Sequence, residues 1–223
     1  MRINPLPYVF IGDSVTEAGR FEDPRGLGYG YVQIIAERLR RLGSGATVLN
    51  RGVSGNRVPD LAARWHEDCL ELKPKLVSIA VGVNDTWRRY DSNDPTSVTK
   101  FEEGYRALLE SLCGLAPQVV LMEPFLLPVS ADQEVWREDL DPKIAVVRTL
   151  ADEFGATLVA TDDFLNARRA SPQDESLAPD GVHPSASGHE AIATLWLNTV
   201  VLPKIRSAAT SPGGVRVAPA PPR

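Results

Sequence analysis

The chain has 223 residues, 43% hydrophobic and 24% charged, with a net charge of −5. That acidity excludes a general nucleic-acid binder, which needs a basic face, and no apolar run approaches the ~20 residues of a membrane-spanning helix. A globule of this length buries roughly 70% of its unfolded surface, so its core needs neither a disulfide nor a structural metal.

Taken in order, the elements alternate. Tyr8-Val9-Phe10-Ile11 reads as a strand over residues 8–12 that gives way abruptly to Gly12-Asp13-Ser14. Residues 28–42 read as a helix, with Tyr31, Ile34, Ile35, Leu39 and Leu42 at helical spacing and Gly43 as its stop. A short strand follows at 47–49 and a helix at 58–72, with Leu61, Trp65, Cys69 and Leu72 on one face. Residues 76–81 are the clearest strand. A helix over 98–115, a strand over 119–122, a loop holding Pro128 and Trp136, a helix over 140–154, a strand over 157–160, a short helix over 163–169 and a long helix over 187–205 complete the pattern. Strand-helix alternation implies parallel β-α-β units with right-handed crossovers. The expectation is a three-layer α/β/α sandwich on a five-stranded parallel sheet of order 2-1-3-4-5. One domain spans 1–206, and the Pro/Gly/Ala-rich residues 207–223 read as a flexible tail.

The chemistry gathers at the carboxyl ends of the strands, where open α/β sheets bind ligands. Ser14 follows the first strand, Asn50-Arg51-Gly52-Val53-Ser54-Gly55-Asn56 the second, Gly82-Val83-Asn84-Asp85 the third, and Asp180-Gly181-Val182-His183 precedes the last helix. Acyl transfer accounts for this set. A serine hydroxyl needs a base to take its proton, and His183 is one of only three histidines. Asp180, three residues earlier across a glycine, can turn back to fix the imidazole tautomer. The Ser14 N–H, the Gly55 N–H and the Asn84 side-chain amide are candidate donors to a developing oxyanion. Trp87, Arg88 and Tyr90 follow Asn84 directly and are candidate substrate-binding groups, since an aromatic face can stack on a sugar and an arginine can bond its hydroxyls.

These four blocks, in this order across residues 12–183, resemble the SGNH, or GDSL-type, hydrolase superfamily. The resemblance implies a flavodoxin-like fold, Ser14 as nucleophile, His183 as base assisted by Asp180, and an oxyanion hole of Ser14, Gly55 and Asn84. Longer stretches are similar to the intracellular acetylxylan esterases of that superfamily: residues 50–56 with Asp60-Leu61 and Ala63-Arg64-Trp65, and Val77-Ser78-Ile79 leading through residues 82–85 to Trp87-Arg88 and Tyr90-Asp91. That implies removal of acetyl groups from carbohydrate without a metal or other cofactor, on a small or oligosaccharide ester, by a chain that can form homo-oligomers. Two departures stand out. Ser14 is not in the Gly-x-Ser-x-Gly elbow of the α/β-hydrolases. Pro179, not an aromatic residue, precedes Asp180, so an aromatic wall for the acetyl pocket is either missing or comes from elsewhere.

Other functions compete with this one. A lipase or acyl-thioesterase would use the same machinery on longer chains. Asp13, Asp85 and His183 could hold the metal of a phosphodiesterase, although capping and loop bracing suit both aspartates better. A carbohydrate-binding module on a dead scaffold would need no nucleophile beside a base. Ser54 imitates an elbow serine but lacks the second glycine. His66 and His189 read as helix-face residues, Arg64 and Trp65 as packing and surface, and Cys69 and Cys113 as buried free thiols of a reducing compartment. No cleavable leader pattern is visible before residue 8, so the expected location is the cytoplasm.

Overall fold

The computed structural model describes residues 6–169 and 176–203. The expected tail at 207–223 and the end of the expected last helix lie outside the described residues. Five strands, β1 Tyr8–Gly12, β2 Val48–Gly52, β3 Leu76–Ala80, β4 Gln118–Met122 and β5 Thr157–Val159, form one parallel sheet in the order β2-β1-β3-β4-β5. The helices are α1 Ser14–Glu17, α2 Tyr31–Arg41, α3 Val58–Asp68, α4 Val83–Asp91, α5 Val98–Leu112, α6 Ala131–Val135, α7 Arg137–Glu153, α8 Thr161–Arg169 and α9 Ala186–Val200.

Strand side chains alternate between two faces, and here both faces are covered, which is why the strands read as continuous apolar runs. Phe10, Leu76, Val120, Met122 and Val159 pack on one side against Tyr31, Ile35, Leu165, Ile192 and Trp196 of α2, α8 and α9. Val9, Ile11, Val77, Ile79 and Leu121 pack on the other against Leu61, Phe101, Leu109, Val147 and Leu150 of α3, α5 and α7. The one polar interruption of β3, Ser78, is fully buried and accepts a hydrogen bond from Trp196 Nε1–H at 3.0 Å, so no polar group is stranded there.

The register brings the chemistry to one line. Gly12 pairs with Gly52 on one side and Ala80 on the other, Ala80 with Met122, and Met122 with Val159. All five strands therefore end level, and the turns that follow them share one edge. That pairing also carries β2 on to Gly52, beyond the expected end at Leu49.

Other boundaries moved for local reasons. Gly28 sits at φ +76°, outside helical geometry, so α2 starts only at Tyr31. The helix expected over 58–72 breaks at Cys69 (φ −135°) and resumes as a single 3-10 turn over Leu70–Leu72. Three helices were not expected. α1 and α4 begin in what the sequence suggested were turns, and α6 lies in the expected loop. α7 starts at Arg137, three residues before the expected Leu140, and carries Pro142 inside it. Cys69 is buried as expected, whereas Cys113 is exposed near the solvent-facing end of α5.

Candidate active site

Ser14 is placed by the end of β1. Asp13 donates its N–H to Ala80 O at 3.3 Å and caps α1, its Oδ1 accepting Val15 N–H at 3.0 Å. This side-chain cap is worth about 1 kcal/mol, and it turns the chain so that Ser14 opens the helix. Burial pushes the Asp13 carboxyl up to about 7, against the pull of Val15 N–H and His183.

Ser14 and His183 are 169 positions apart in sequence, yet Ser14 Oγ stands 2.9 Å from His183 Nε2. His183 Nδ1 lies 2.6 Å from Asp180 Oδ2. With Nδ1–H donating to the carboxylate, Nε2 is left as an acceptor for the serine hydroxyl. Asp180 also closes its own turn, with Oδ1 accepting Val182 N–H at 2.9 Å and His183 N–H at 2.7 Å. Partial burial raises the Asp180 carboxyl, but the His183 ring and these backbone donors outweigh it and hold the group below its ordinary value. The turn is braced from α6 and its approach. Gln133 Nε2 donates to Asp180 O at 2.7 Å and Leu127 N–H to Gly181 O at 2.8 Å.

The expected oxyanion donors meet this group from two loops. Among the described residues, neither Ser14 N–H nor Gly55 N–H is committed to a protein acceptor. Gly55 sits at φ +80°, where a side chain would be strained. Asn84, buried in the first turn of α4, donates from Nδ2 to Asn56 O at 3.2 Å, which uses one of its two amide hydrogens and leaves the other. The loop is tied to the Ser14 turn by Val53 N–H donating to Gly12 O at 3.0 Å.

Two residues with no part in the site expected from sequence fasten these turns. Arg64, expected at the surface, reaches Asn56 Oδ1 at 2.7 Å, Arg51 O at 2.7 Å and Gly12 O at 3.0 Å. Asn50, buried in the middle of β2, donates to Thr16 O at 2.6 Å and Leu27 O at 2.9 Å and accepts Gly52 N–H at 2.9 Å.

The three candidate substrate-binding residues separate. Trp87 lies against the site, its ring centroid 5.9 Å from that of His183. Arg88 brings Nη2 to 3.7 Å from where a Cβ on Gly55 would stand, and pairs with Asp91. Tyr90 turns away. Its ring stacks on Trp136 at 5.4 Å, and its hydroxyl donates to Val135 O at 3.2 Å. Trp136, expected in a loop, also packs 5.4 Å from Trp87. Pro179 is exposed, and the aromatic surface beside His183 comes from Trp87 on α4.

The competing groups have other engagements. Ser54 is exposed and donates to Glu17 Oε2 at 3.0 Å. His66 pairs with Glu71 on the surface. Asp13 and Asp85 accept from the backbone N–H groups of Val15 and Val58, and among the described residues no cluster of three or more His, Cys, Asp or Glu is placed to hold a metal ion. His189, on α9, accepts Tyr31 N–H at Nδ1 (3.2 Å) and stacks on the Tyr31 ring. Burial, and secondarily His183, pulls its imidazole down to about 4. The neutral ring is therefore the folded form. Its stabilisation is complete above the ordinary histidine value of about 6.5 and is lost as pH falls through 4, worth about 3 kcal/mol. His189→Asn keeps an acceptor for Tyr31 N–H but cannot charge. Melting temperatures measured from pH 8 to pH 4 are expected to fall more steeply for the wild type, and parallel curves would refute this account.

A serine, a histidine and an aspartate in one hydrogen-bonded chain at the carboxyl edge of a doubly wound sheet have the make-up of a serine hydrolase. Residues 10–191 match the model of the GDSL-like lipase/acylhydrolase family. An acetylxylan esterase from Geobacillus stearothermophilus is 36% identical over 211 residues, covering 89% of this chain and 95% of that protein. The crystal structure of Axe2, an acetylxylan esterase from the same organism, superposes with a TM-score of 0.80 at 34% identity, covering 89% of this chain and 96% of that one. LAE5, an α/β hydrolase from the metagenome of Lake Arreo, Spain, superposes at 0.79 with 28% identity, over 87% of this chain and 94% of that one. The chain belongs to the GDSL-like lipase/acylhydrolase family, and it is a carboxylic ester hydrolase.

Proposed function

We propose that this esterase removes acetyl groups from xylo-oligosaccharides through an acyl-enzyme, with Ser14 as nucleophile. The observation that carries the proposal is the unbroken chain Ser14 Oγ–His183 Nε2 and His183 Nδ1–Asp180 Oδ2, at 2.9 and 2.6 Å. Ser14 attacks the ester carbonyl while His183 takes its proton. The oxyanion forms against Ser14 N–H, Gly55 N–H and the Asn84 amide. His183 then gives its proton to the departing sugar oxygen, which leaves as a hydroxyl, and later activates water to release acetate. Trp87 offers a stacking face beside His183 and Arg88 a cationic edge beside Gly55, which suits a sugar leaving group. The acetylxylan esterases described above are named for action on acetylated xylan, which supports the same substrate class here.

Ser14→Ala is expected to remove nearly all turnover of acetylated xylo-oligosaccharides and of p-nitrophenyl acetate while leaving the melting temperature unchanged. Wild-type activity in that variant would overturn the proposal. Faster turnover of p-nitrophenyl octanoate than of the acetate would instead point to a long-chain acylhydrolase.

A further inference from the structure

Asp85 is a buried ionisable group that the mechanism leaves without work. Asp85 is fully buried in the first turn of α4, next in sequence to Asn84. Its Oδ2 accepts Val58 N–H at 3.2 Å. Val58 is the first residue of α3 and lies three positions after Gly55. Asn84 holds Asn56 O. Two adjacent side chains of α4 thus grip the same segment, Gly55 to Val58, from which one oxyanion donor comes. We infer that Asp85 is a positioning residue for the oxyanion hole, fastening the Gly55 loop to the helix that carries Asn84.

The surroundings of Asp85 explain why the grip is specific. Among the described residues, its Oδ1 has no hydrogen-bond partner, and neither does the buried hydroxyl of Tyr105 on α5. Such unpaired buried oxygens are rare, and they make this carboxyl expensive to keep for packing alone. Lys143 on α7 is fully buried nearby, but its ammonium is already paired with Asp139 and contacts Thr86 Oγ1 at 3.3 Å. Arg57 pairs with Asp94 at 2.8 Å. No cation is therefore dedicated to Asp85. Burial pushes its carboxyl up to about 7, against Val58 N–H, Lys143, Arg57 and the Thr96 hydroxyl, and burial together with Asp85 raises the Tyr105 phenol. What Asp85 supplies is an acceptor oxygen at a fixed place, and a neutral amide would supply it too.

The inference rests on the oxyanion hole proposed above, and kinetics with p-nitrophenyl acetate test it separately. Asp85→Asn keeps the acceptor and is expected to stay within about 3-fold of wild-type kcat. Asp85→Leu keeps the shape without the acceptor and is expected to lose about 10²-fold in kcat with KM moved less than about 3-fold, the scale of a lost oxyanion donor. If the leucine protein does not fold, Asp85→Ala is read in its place. Combined with Asn84→Ala, the loss is expected to exceed that of either variant but to stay below their product, because Asn84→Ala removes its own donor and also frees the Asn56 end of the loop that Asp85 holds. Wild-type kcat in the leucine or alanine variant, equal losses in the Asn and Leu variants, or losses that multiply in the double variant would each overturn it. An active Ser14→Ala protein defeats the underlying proposal instead, whereas a dead Ser14→Ala protein beside fully active Asp85 variants defeats this inference alone.

Discussion

Asp180→Asn is expected to lower kcat on acetyl esters by about 10³–10⁴-fold while the protein stays folded. The reason lies in which oxygen does what. Oδ1 closes the turn by accepting Val182 N–H and His183 N–H, and Oδ2 faces His183 Nδ1. An asparagine side-chain oxygen can replace Oδ1 and keep the turn. Its amide nitrogen then faces Nδ1 as a donor, which forces the imidazole proton onto Nε2. Nε2 is the atom 2.9 Å from Ser14 Oγ, and a protonated Nε2 cannot take the serine proton. The side chains of Asp180 and His183 are about half exposed, at 50% and 46%. Water can therefore restore some of the productive tautomer, which favours the lower end of the range. Steady-state kinetics beside a thermal melt decide the matter. A folded Asp180→Asn protein within tenfold of wild-type kcat would remove Asp180 from the mechanism.

The strands and the long helices were legible because their signal is local. Leu76-Val77-Ser78-Ile79-Ala80 is covered on both faces, so its apolar run is continuous, and α5 shows Phe101, Tyr105, Leu108, Leu109 and Leu112 at helical spacing on its buried face. The four blocks that hold Ser14, Gly55, Asn84, Asp180 and His183 were legible for another reason: each follows a strand or precedes a helix, and the parallel order puts them on one edge. α4 was missed although a sign of it was there. Val83, Trp87 and Tyr90 recur at i, i+4 and i+7, and all three join the small apolar cluster with Trp136 and Leu140. Asn84-Asp85, polar residues that also suit a turn, interrupt that period. α6 likewise carries a capping pattern, Ser130 with Gln133 three residues on, and Ser130 does cap Gln133 N–H.

The remaining features have no local signal. Arg64 stands on α3 like any surface arginine until Gly12 of β1, Arg51 of β2 and Asn56 of the following loop come within its reach. Tyr90 was expected to face substrate because of its neighbours in sequence. On a helix, however, residues 87 and 90 share a face with each other and with Val83, and that face meets Trp136 before it meets solvent. Only Trp87, one turn nearer Asn84, also reaches His183. Side-chain direction, not proximity in sequence, decides which members of a motif touch the site.

Gly52→Ala is expected to damage both stability and turnover, because the short helix carrying Ser14 rests directly on β2. A Cβ at Gly52 would lie 2.2 Å from Glu17 N and 2.6 Å from both Glu17 Cα and Thr16 C. These are backbone atoms of α1, so no side chain can swing aside. α1 itself is short and begins at Ser14, so any shift that relieves the clash displaces the nucleophile from His183. Overpacking of this kind costs about 3 kcal/mol, which corresponds to a melting temperature lower by about 6–12 °C for a domain of this size. A displacement of about 1 Å at the reacting atoms is enough to lose about 10²-fold in rate. Gly45→Ala is the control, since a Cβ there meets nothing within 4 Å, and it is expected to leave both quantities alone. Melting curves and kcat on p-nitrophenyl acetate for the two variants give the answer. If Gly52→Ala melts and turns over as the wild type does, the contact between α1 and β2 is not what seats Ser14. If it melts lower but keeps full kcat in the folded fraction, the contact stabilises the fold without setting the position of the nucleophile.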